Sequence, residues 1–307
     1  MDYASLIREV GRGARGARDL SREQAESLFG AVLDGAVPGL ELGALLIALR
    51  VKGESADEVA GFLTAMRERT AALAAPEGPR TVLLPSFNGA RKQANLMPLV
   101  ARLLAREGVP VLIFGRHDFD SRVSPFELLD ALDLPASTTL AEAEQRLRDQ
   151  RLAVLPLQML NPGLNALMAL RPRMGVRNSG HSLAKLLDPF PQGRSVRVVA
   201  VTHPEYLDSM AAALPGLTEN GGRALLMRAS EGEAYAHLRR KAHLIGFQDG
   251  VMAPLHQADT ADLDWPLSPA CSPADNAALI RAMLDGFEPV PPRIAEQVSV
   301  LRLLATN

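Results

Sequence analysis

The chain has 307 residues, 47% of them hydrophobic, which is enough apolar surface for one large core or two smaller ones. A net charge of −2 and a pI near 6.3 exclude a globally basic nucleic-acid binder, although a local patch can still focus a field. Cys271 is the single cysteine, which excludes an intrachain disulfide and a cysteine zinc cluster, and the N-terminal MDYASLIREVGRG lacks the apolar core of a signal peptide. No stretch approaches the length of a membrane span, so a cytoplasmic protein with no membrane partner is expected. The 33 basic residues are mostly arginine; this favours bidentate contacts to phosphate or carboxylate, or reflects the base composition of the genome.

Residues 1–72 read as all helix. Ser21-Arg22-Glu23-Gln24 is a capping box, followed at helical spacing by Ala25, Leu28, Phe29, Val32 and Leu33, with Gly35 where a C-cap glycine belongs. Pro38 opens a second helix through Leu42, Leu45, Leu46 and Leu49, which Gly53 ends. Ser55 to Glu58 is another capping box, leading to Val59, Phe62, Leu63 and Met66. Residues 74–79 are a linker by composition.

Beyond the linker the pattern changes. Short apolar runs at 81–84, 109–114, 152–157, 196–202 and 224–227 alternate with helical segments at 93–107, 124–133, 138–149 and 204–214. Such alternation predicts an α/β domain with a mixed, largely parallel sheet. Residues 164–187 read as a helical insertion, 229–273 as irregular, and 274–285 and 292–305 as two closing helices. The expected organisation is a small all-helical domain, 1–72 with the 164–187 insertion, packed on a larger α/β domain made of 80–163 and 188–307.

Specific residues now carry a resemblance. Leu20-Ser21-Arg22-Glu23-Gln24-Ala25, Leu33-Asp34-Gly35 and Ala48-Leu49-Arg50-Val51-Lys52-Gly53-Glu54-Ser55 resemble the helical domain of anthranilate phosphoribosyltransferases and related pyrimidine-nucleoside phosphorylases. Gly175-Val176-Arg177 and Asn276 to Gly286 extend the resemblance over essentially the whole chain. It implies a cleft between the domains and a homodimer formed through the helical domain.

The motifs that serve the family's chemistry do not match. The glycine-rich diphosphate loop, Gly-Thr-Gly-Gly-Asp, falls on Pro85-Ser86-Phe87-Asn88-Gly89 with no residue kept in place, and the Asn that follows it matches Asn95. The Lys-His-Gly-Asn-Arg segment falls on Ile113-Phe114-Gly115-Arg116-His117 and keeps only the glycine; a Lys further on becomes Arg122. The Asp-Glu metal pair falls on Ala234-Tyr235, while Glu231 and Glu233 are displaced along the segment. Glycines and acids have thus given way to Arg91, Lys92, Arg116, His117 and Arg122. These changes, with Asn178-Ser179-Gly180-His181-Ser182-Leu183-Ala184-Lys185-Leu186-Leu187 and His203-Pro204-Glu205-Tyr206, resemble the YbiB branch of the superfamily. That resemblance implies a homodimeric, nucleic-acid-binding protein without phosphoribosyltransferase activity, catalytic residue, metal or cofactor.

The candidate phosphate contacts follow. Arg91 and Lys92, at an expected helix start with Asn88 and Asn95 beside them, read as phosphate ligands or as a solvated turn. Arg116, His117 and Arg122 belong with them. Arg171, Arg173, Arg177, His181 and Lys185 lie in the insertion; Arg177, His181 and Lys185 share one face if a helix runs through Gly180. They read as a basic strip along a nucleic-acid backbone, as an aromatic-acid site of the family, or as ordinary capping and pairing. His237-Leu238-Arg239-Arg240-Lys241 is the densest basic run, and Arg12, Arg15 and Arg18 form another. Phe87, Phe114, Phe119 and Tyr235 suit base stacking or a core.

His243 and His256 with Asp249, Asp259, Asp262 and Asp264 match no standard metal-ligand spacing. Ser86 and Ser182 lack a nucleophile elbow, and Cys271 beside prolines reads as a bystander. The alternative function is a transferase of divergent substrate, with Glu231 and Glu233 recruiting a metal; a sensor that kept the cleft without the chemistry is a third.

Overall fold

The computed structural model describes residues 1–13, 15–117, 122–202, 204–240, 243–253, 263–266 and 272–307. The chain forms two compact units, one of Met1–Ala71 with Leu157–Pro189 and one of Ala72–Pro156 with Phe190–Asn307.

The first unit is helical. Its first pass contains α1 (Tyr3–Val10), α2 (Arg22–Leu33), α3 (Gly39–Lys52) and α4 (Ala56–Glu68). Both capping boxes form: Ser21 Oγ accepts from Gln24 N at 3.2 Å while Gln24 Oε1 accepts from Ser21 N at 2.9 Å, and Ser55 and Glu58 repeat the exchange. Gly35 follows α2 at φ +68° and Gly53 ends α3 at φ +80°, a backbone region open to glycine at little cost. α2 packs on α4 through Phe29 and Phe62, whose ring centroids are 4.8 Å apart. Buried Glu58 binds Leu20 N at 3.0 Å and Lys52 Nζ at 2.6 Å, tying the chain before α2 to α4. The second pass supplies short helices at Leu157–Leu160, Pro162–Ala169, Arg171–Met174 and Gly180–Leu183, then a 3-10 turn at Ala184–Leu186.

The second unit is built on a sheet. Its strands are β1 (Thr81–Ser86), β2 (Val111–Gly115), β3 (Leu152–Pro156), β4 (Ser195–Val201), β5 (Arg223–Ser230), β6 (Glu233–Ala236), β7 (Ile245–Gln248) and β8 (Val251–Ala253). The order along the sheet is β3-β2-β1-β4-β5-β7-β8, with β6 paired to β5. β1 to β5 pair in parallel; β6, β7 and β8 join antiparallel. The sheet is therefore mixed and mostly parallel. Its parallel strands read as unbroken apolar runs because they are buried along their length. Val82, Leu84, Ile113 and Val198 share one buried cluster with Leu99 and Leu104 of the helix Met97–Arg106 and with Ile294 and Leu301 of the helix Pro292–Thr306.

Two expectations need correction. The segment 229–273, read as irregular, contains the end of β5 and all of β6, β7 and β8 among its described residues. β6 and β7 are four residues long and carry polar residues, and β8 has only three residues, so no extended apolar run marks them. The helix expected from residue 93 begins at Met97, because Asn95 Oδ1 accepts from Met97 N and residues 91–93 bond elsewhere. Among the described residues, no helix is long and apolar enough to cross a membrane.

Candidate functional site

The strand order reverses between β1 and β4: the chain leaves β1 toward β2 on one side, and β4 and β5 lie on the other. In open α/β sheets, the carboxyl ends of strands at such a switch point are where ligands bind. The loop 86–96 leaves the carboxyl end of β1 here. It is held against β2 by Arg116 N donating to Ser86 O at 3.1 Å, and against the segment after 121 by the pairing of Ala90 with Val123. Gly115 permits the first contact, since a Cβ there would lie 1.7 Å from Ser86 O. That approach gives a physical reason for the one glycine kept in the segment 113–117.

The switch point is filled by the chain itself. β5 and β6 form a hairpin whose two turn residues, Glu231 and Gly232, have φ +54° and +91°. An added Cβ on Gly232 would meet Asn88 Nδ2 at 2.5 Å and Thr202 Oγ1 at 3.6 Å, so the tip lies over the ends of both β1 and β4. Glu233 is fully buried. Its Oε2 accepts from Ser86 Oγ at 2.6 Å, and its Oε1 accepts from Asn88 N at 2.8 Å and Gly89 N at 2.9 Å. Glu231 Oε1 accepts from Lys92 N at 2.8 Å and Arg91 N at 3.2 Å. Amide groups that in a phosphate-binding turn would face an anion therefore face the protein's own carboxylates. Behind them, Gln93 Nε2 donates to Ser230 Oγ and, at 3.2 Å, to Tyr235 OH. Burial pushes the Tyr235 hydroxyl above its ordinary range, so it stays neutral.

The expected contact residues divide by environment. Arg91 and Lys92 have exposed side chains, as do His117, Arg239 and Arg240. Arg116 and Arg122 are half-buried, and Arg122 Nη1 donates to Gly89 O at 3.4 Å. Arg91, Lys92, Arg116 and Arg122 are thus attached to one loop. Asn88 and Asn95 are buried and serve that loop internally: Asn88 Nδ2 donates to Gly232 O at 3.1 Å, and Asn95 receives Met97 N and gives its own N–H to Asn276 Oδ1 at 2.9 Å. Neither side chain is placed to meet a nucleic acid. Phe87, Phe114 and Tyr235 are core residues, so base stacking on them is ruled out in this conformation; Phe119 lies outside the described residues.

Arg239 and Arg240 direct their amides to His237 Nδ1 at 3.1 and 3.2 Å, and Arg239 Nε donates to Trp265 O at 2.6 Å. Lys241 lies outside the described residues, as do His203, His256, Asp259, Asp262 and Cys271. Among the described residues, no three His, Cys, Asp or Glu side chains are grouped to hold a metal. Arg12 and Arg18 are exposed, each 3.8–3.9 Å from Glu9.

In the helical unit, the expected single face through Arg177, His181 and Lys185 does not form. The helix containing Arg171 and Arg173 ends at Gly175 with φ +73°, and helix resumes only at Gly180. Arg177 lies in the intervening turn, where its carbonyl accepts from Arg50 Nη1 at 2.9 Å. His181 and Lys185 are half-buried, with the His181 ring 3.2 Å from Asn178 O.

Reading the sequence missed the role of Glu231 and Glu233, taking them for displaced metal ligands. The available signal was Gly232, a turn-forming residue between the apolar run at 224–227 and Ala234-Tyr235-Ala236.

Residues 4–70 match the family model described as "Glycosyl transferase family, helical bundle domain". The fold is similar to anthranilate phosphoribosyltransferase from Thermus thermophilus, with TM-score 0.77 at 24% identity over 100% of this chain and 95% of that one. The Saccharomyces cerevisiae enzyme, solved in complex with PRPP and Mg, gives TM-score 0.76 at 15% identity over 98% and 88%. An anthranilate phosphoribosyltransferase of Methylocella silvestris is 28% identical over 286 residues, covering 90% of this chain and 79% of its own. The scaffold is that of the anthranilate phosphoribosyltransferases. The uncharacterized protein YbiB of Escherichia coli is 40% identical over 310 residues, covering 100% of this chain and 95% of its own. The chain belongs to the YbiB branch of that superfamily.

Proposed function

We propose that this protein is a non-catalytic nucleic-acid-binding protein on a degenerate phosphoribosyltransferase scaffold, contacting phosphate backbone with little sequence preference. The observation that carries the reading is the loop 86–92: its amides turn inward onto Glu233 and Glu231, while the Arg91 and Lys92 side chains point to solvent. The inward half speaks against the ancestral reaction. Mg²⁺ on a diphosphate needs free carboxylate oxygens. Glu233 is buried and spends both oxygens on three donors, and Glu231 faces amides, so the residues present do not fit that metal. The outward half supplies cations without acids beside them in sequence.

Arg116, Arg122, Arg171, Arg177, Lys185, Arg239, Arg240 and Lys241 are proposed as further backbone contacts. The test is fluorescence anisotropy with a labelled single-stranded oligonucleotide across a salt series. Arg91→Ala with Lys92→Ala is expected to weaken binding about tenfold and to lower the salt slope by about 1.4, as for two lost phosphate contacts. Absence of binding by the unaltered protein at low salt would overturn the reading.

We propose a homodimer through the helical unit. A groove of about 480 Å³ between α1 and α3 is lined by Ile7, Val10, Gly43, Ala44, Ile47 and Val51. Leu40 and Val51 on α3 are 84% and 66% exposed, an apolar face that calls for a cover. Ile47→Asp is expected to give a monomer by light scattering without lowering helix content; a persistent dimer would place the interface elsewhere.

A further inference from the structure

The two carboxylates that fill the loop differ in how firmly they are held. Glu233 is fully buried on a strand and binds a hydroxyl as well as two amides. Glu231 is half-buried at the hairpin tip, with φ +54°, and its carboxylate takes its hydrogen bonds from the N–H groups of Arg91 and Lys92. Both amides reach Glu231 Oε1, at 3.2 and 2.8 Å, and Arg91 N lies equally near Oε2 at 3.2 Å. Successive N–H groups aimed at one point form an oxyanion nest. The exposed guanidinium of Arg91 and ammonium of Lys92 belong to the same two residues, so a phosphate or diphosphate, with more charge than a single carboxylate, gains more from this place.

We propose that the backbone amides and side chains of Arg91 and Lys92 form a site for a phosphate-type oxyanion, and that Glu231 is a resident occupant which the phosphate must displace. The phosphate comes from a nucleic-acid backbone or from a free diphosphate; only the first source rests on the function proposed above. Displacement requires a rotation of one side chain at a two-residue turn, with no break in the β5–β6 pairing. A tethered competitor acts at an effective concentration of about millimolar, so it weakens every phosphate that enters. Glu231 thus sets the affinity of the loop from within.

The test compares the full-length protein with Glu231→Asn and Glu231→Gly, both residues that accept positive φ, so that the turn is kept. Inorganic pyrophosphate is titrated by calorimetry and amide exchange is followed at residues 91–92. The expected result is pyrophosphate binding at least tenfold tighter in the variants. Amides 91 and 92 should exchange faster in the variants and regain protection with pyrophosphate. Unchanged affinity in either variant with wild-type melting, or tighter binding without protection at 91–92, would overturn the proposal. An oligonucleotide arm separates the sources. Parallel tightening supports the backbone phosphate; tightening for pyrophosphate alone supports the site with a free diphosphate as ligand. If no form binds oligonucleotide at low salt, the nucleic-acid reading fails while the pyrophosphate result still decides the site.

Discussion

Replacing Gly115 with alanine is expected to destabilise the α/β unit by at least about 3 kcal/mol, the upper range for forcing atoms into a packed interior. The new Cβ would sit 1.7 Å from Ser86 O and 2.7 Å from the Ser86 carbonyl carbon, and both are backbone atoms at the paired carboxyl ends of β1 and β2. No side-chain rotation relieves such an overlap. β1 and β2 must separate, which costs the register of Ser86 with Gly115 and the bond from Arg116 N. The strain then reaches the loop, since Ser86 Oγ also donates to Glu233. The measurement is a thermal melt, with a fall of roughly 6–12 °C expected for a unit of this size. Gly216→Ala is the control, for nothing lies within 4 Å of its Cβ position and it sits in the helix Pro204–Leu217. A Gly115→Ala protein that melts like the control would show that the strands part at no cost.

The second large effect is at Glu233. Substitution by alanine removes the acceptor for one hydroxyl and two amides in a fully buried place. Each buried donor left without a partner costs about 1–3 kcal/mol, so a loss of roughly 3–9 kcal/mol is expected. Glu233→Gln should behave differently. Both amides converge on Oε1, which glutamine keeps, and Ser86 Oγ can rotate to accept from the new amide group. The glutamine variant should therefore retain most of the stability in urea denaturation. Equal losses for glutamine and alanine would mean that the charge, and not the acceptor count, holds the loop.

How much of this was legible varies with the range of the interaction. The capping boxes at Ser21 and Ser55 involve partners three residues apart, so they can be read directly and they form as read. The parallel strands were legible because burial on both faces leaves a continuous apolar run. β6 was not, although it is buried throughout. Glu233 interrupts its apolar character, and it is buried only because Ser86, Asn88 and Gly89 arrive from about 145 positions away to satisfy it.

The helix start expected at Arg91 and Lys92 failed for the same reason. Their amides are taken by Glu231, 139 and 140 positions along the chain, and the helix waits until Met97. The strip through Arg177, His181 and Lys185 failed more locally, at Gly175, which leaves the helical region.

The order of helices and parallel strands was set by local pattern, and residue identity carried the resemblance to the branch in which the protein falls. The direction in which the loop 86–92 points its amides was set by folding. A backbone N–H turns toward whatever acceptor the completed sheet brings near, and here the acceptors are carboxylates on a hairpin about 140 positions further along the chain.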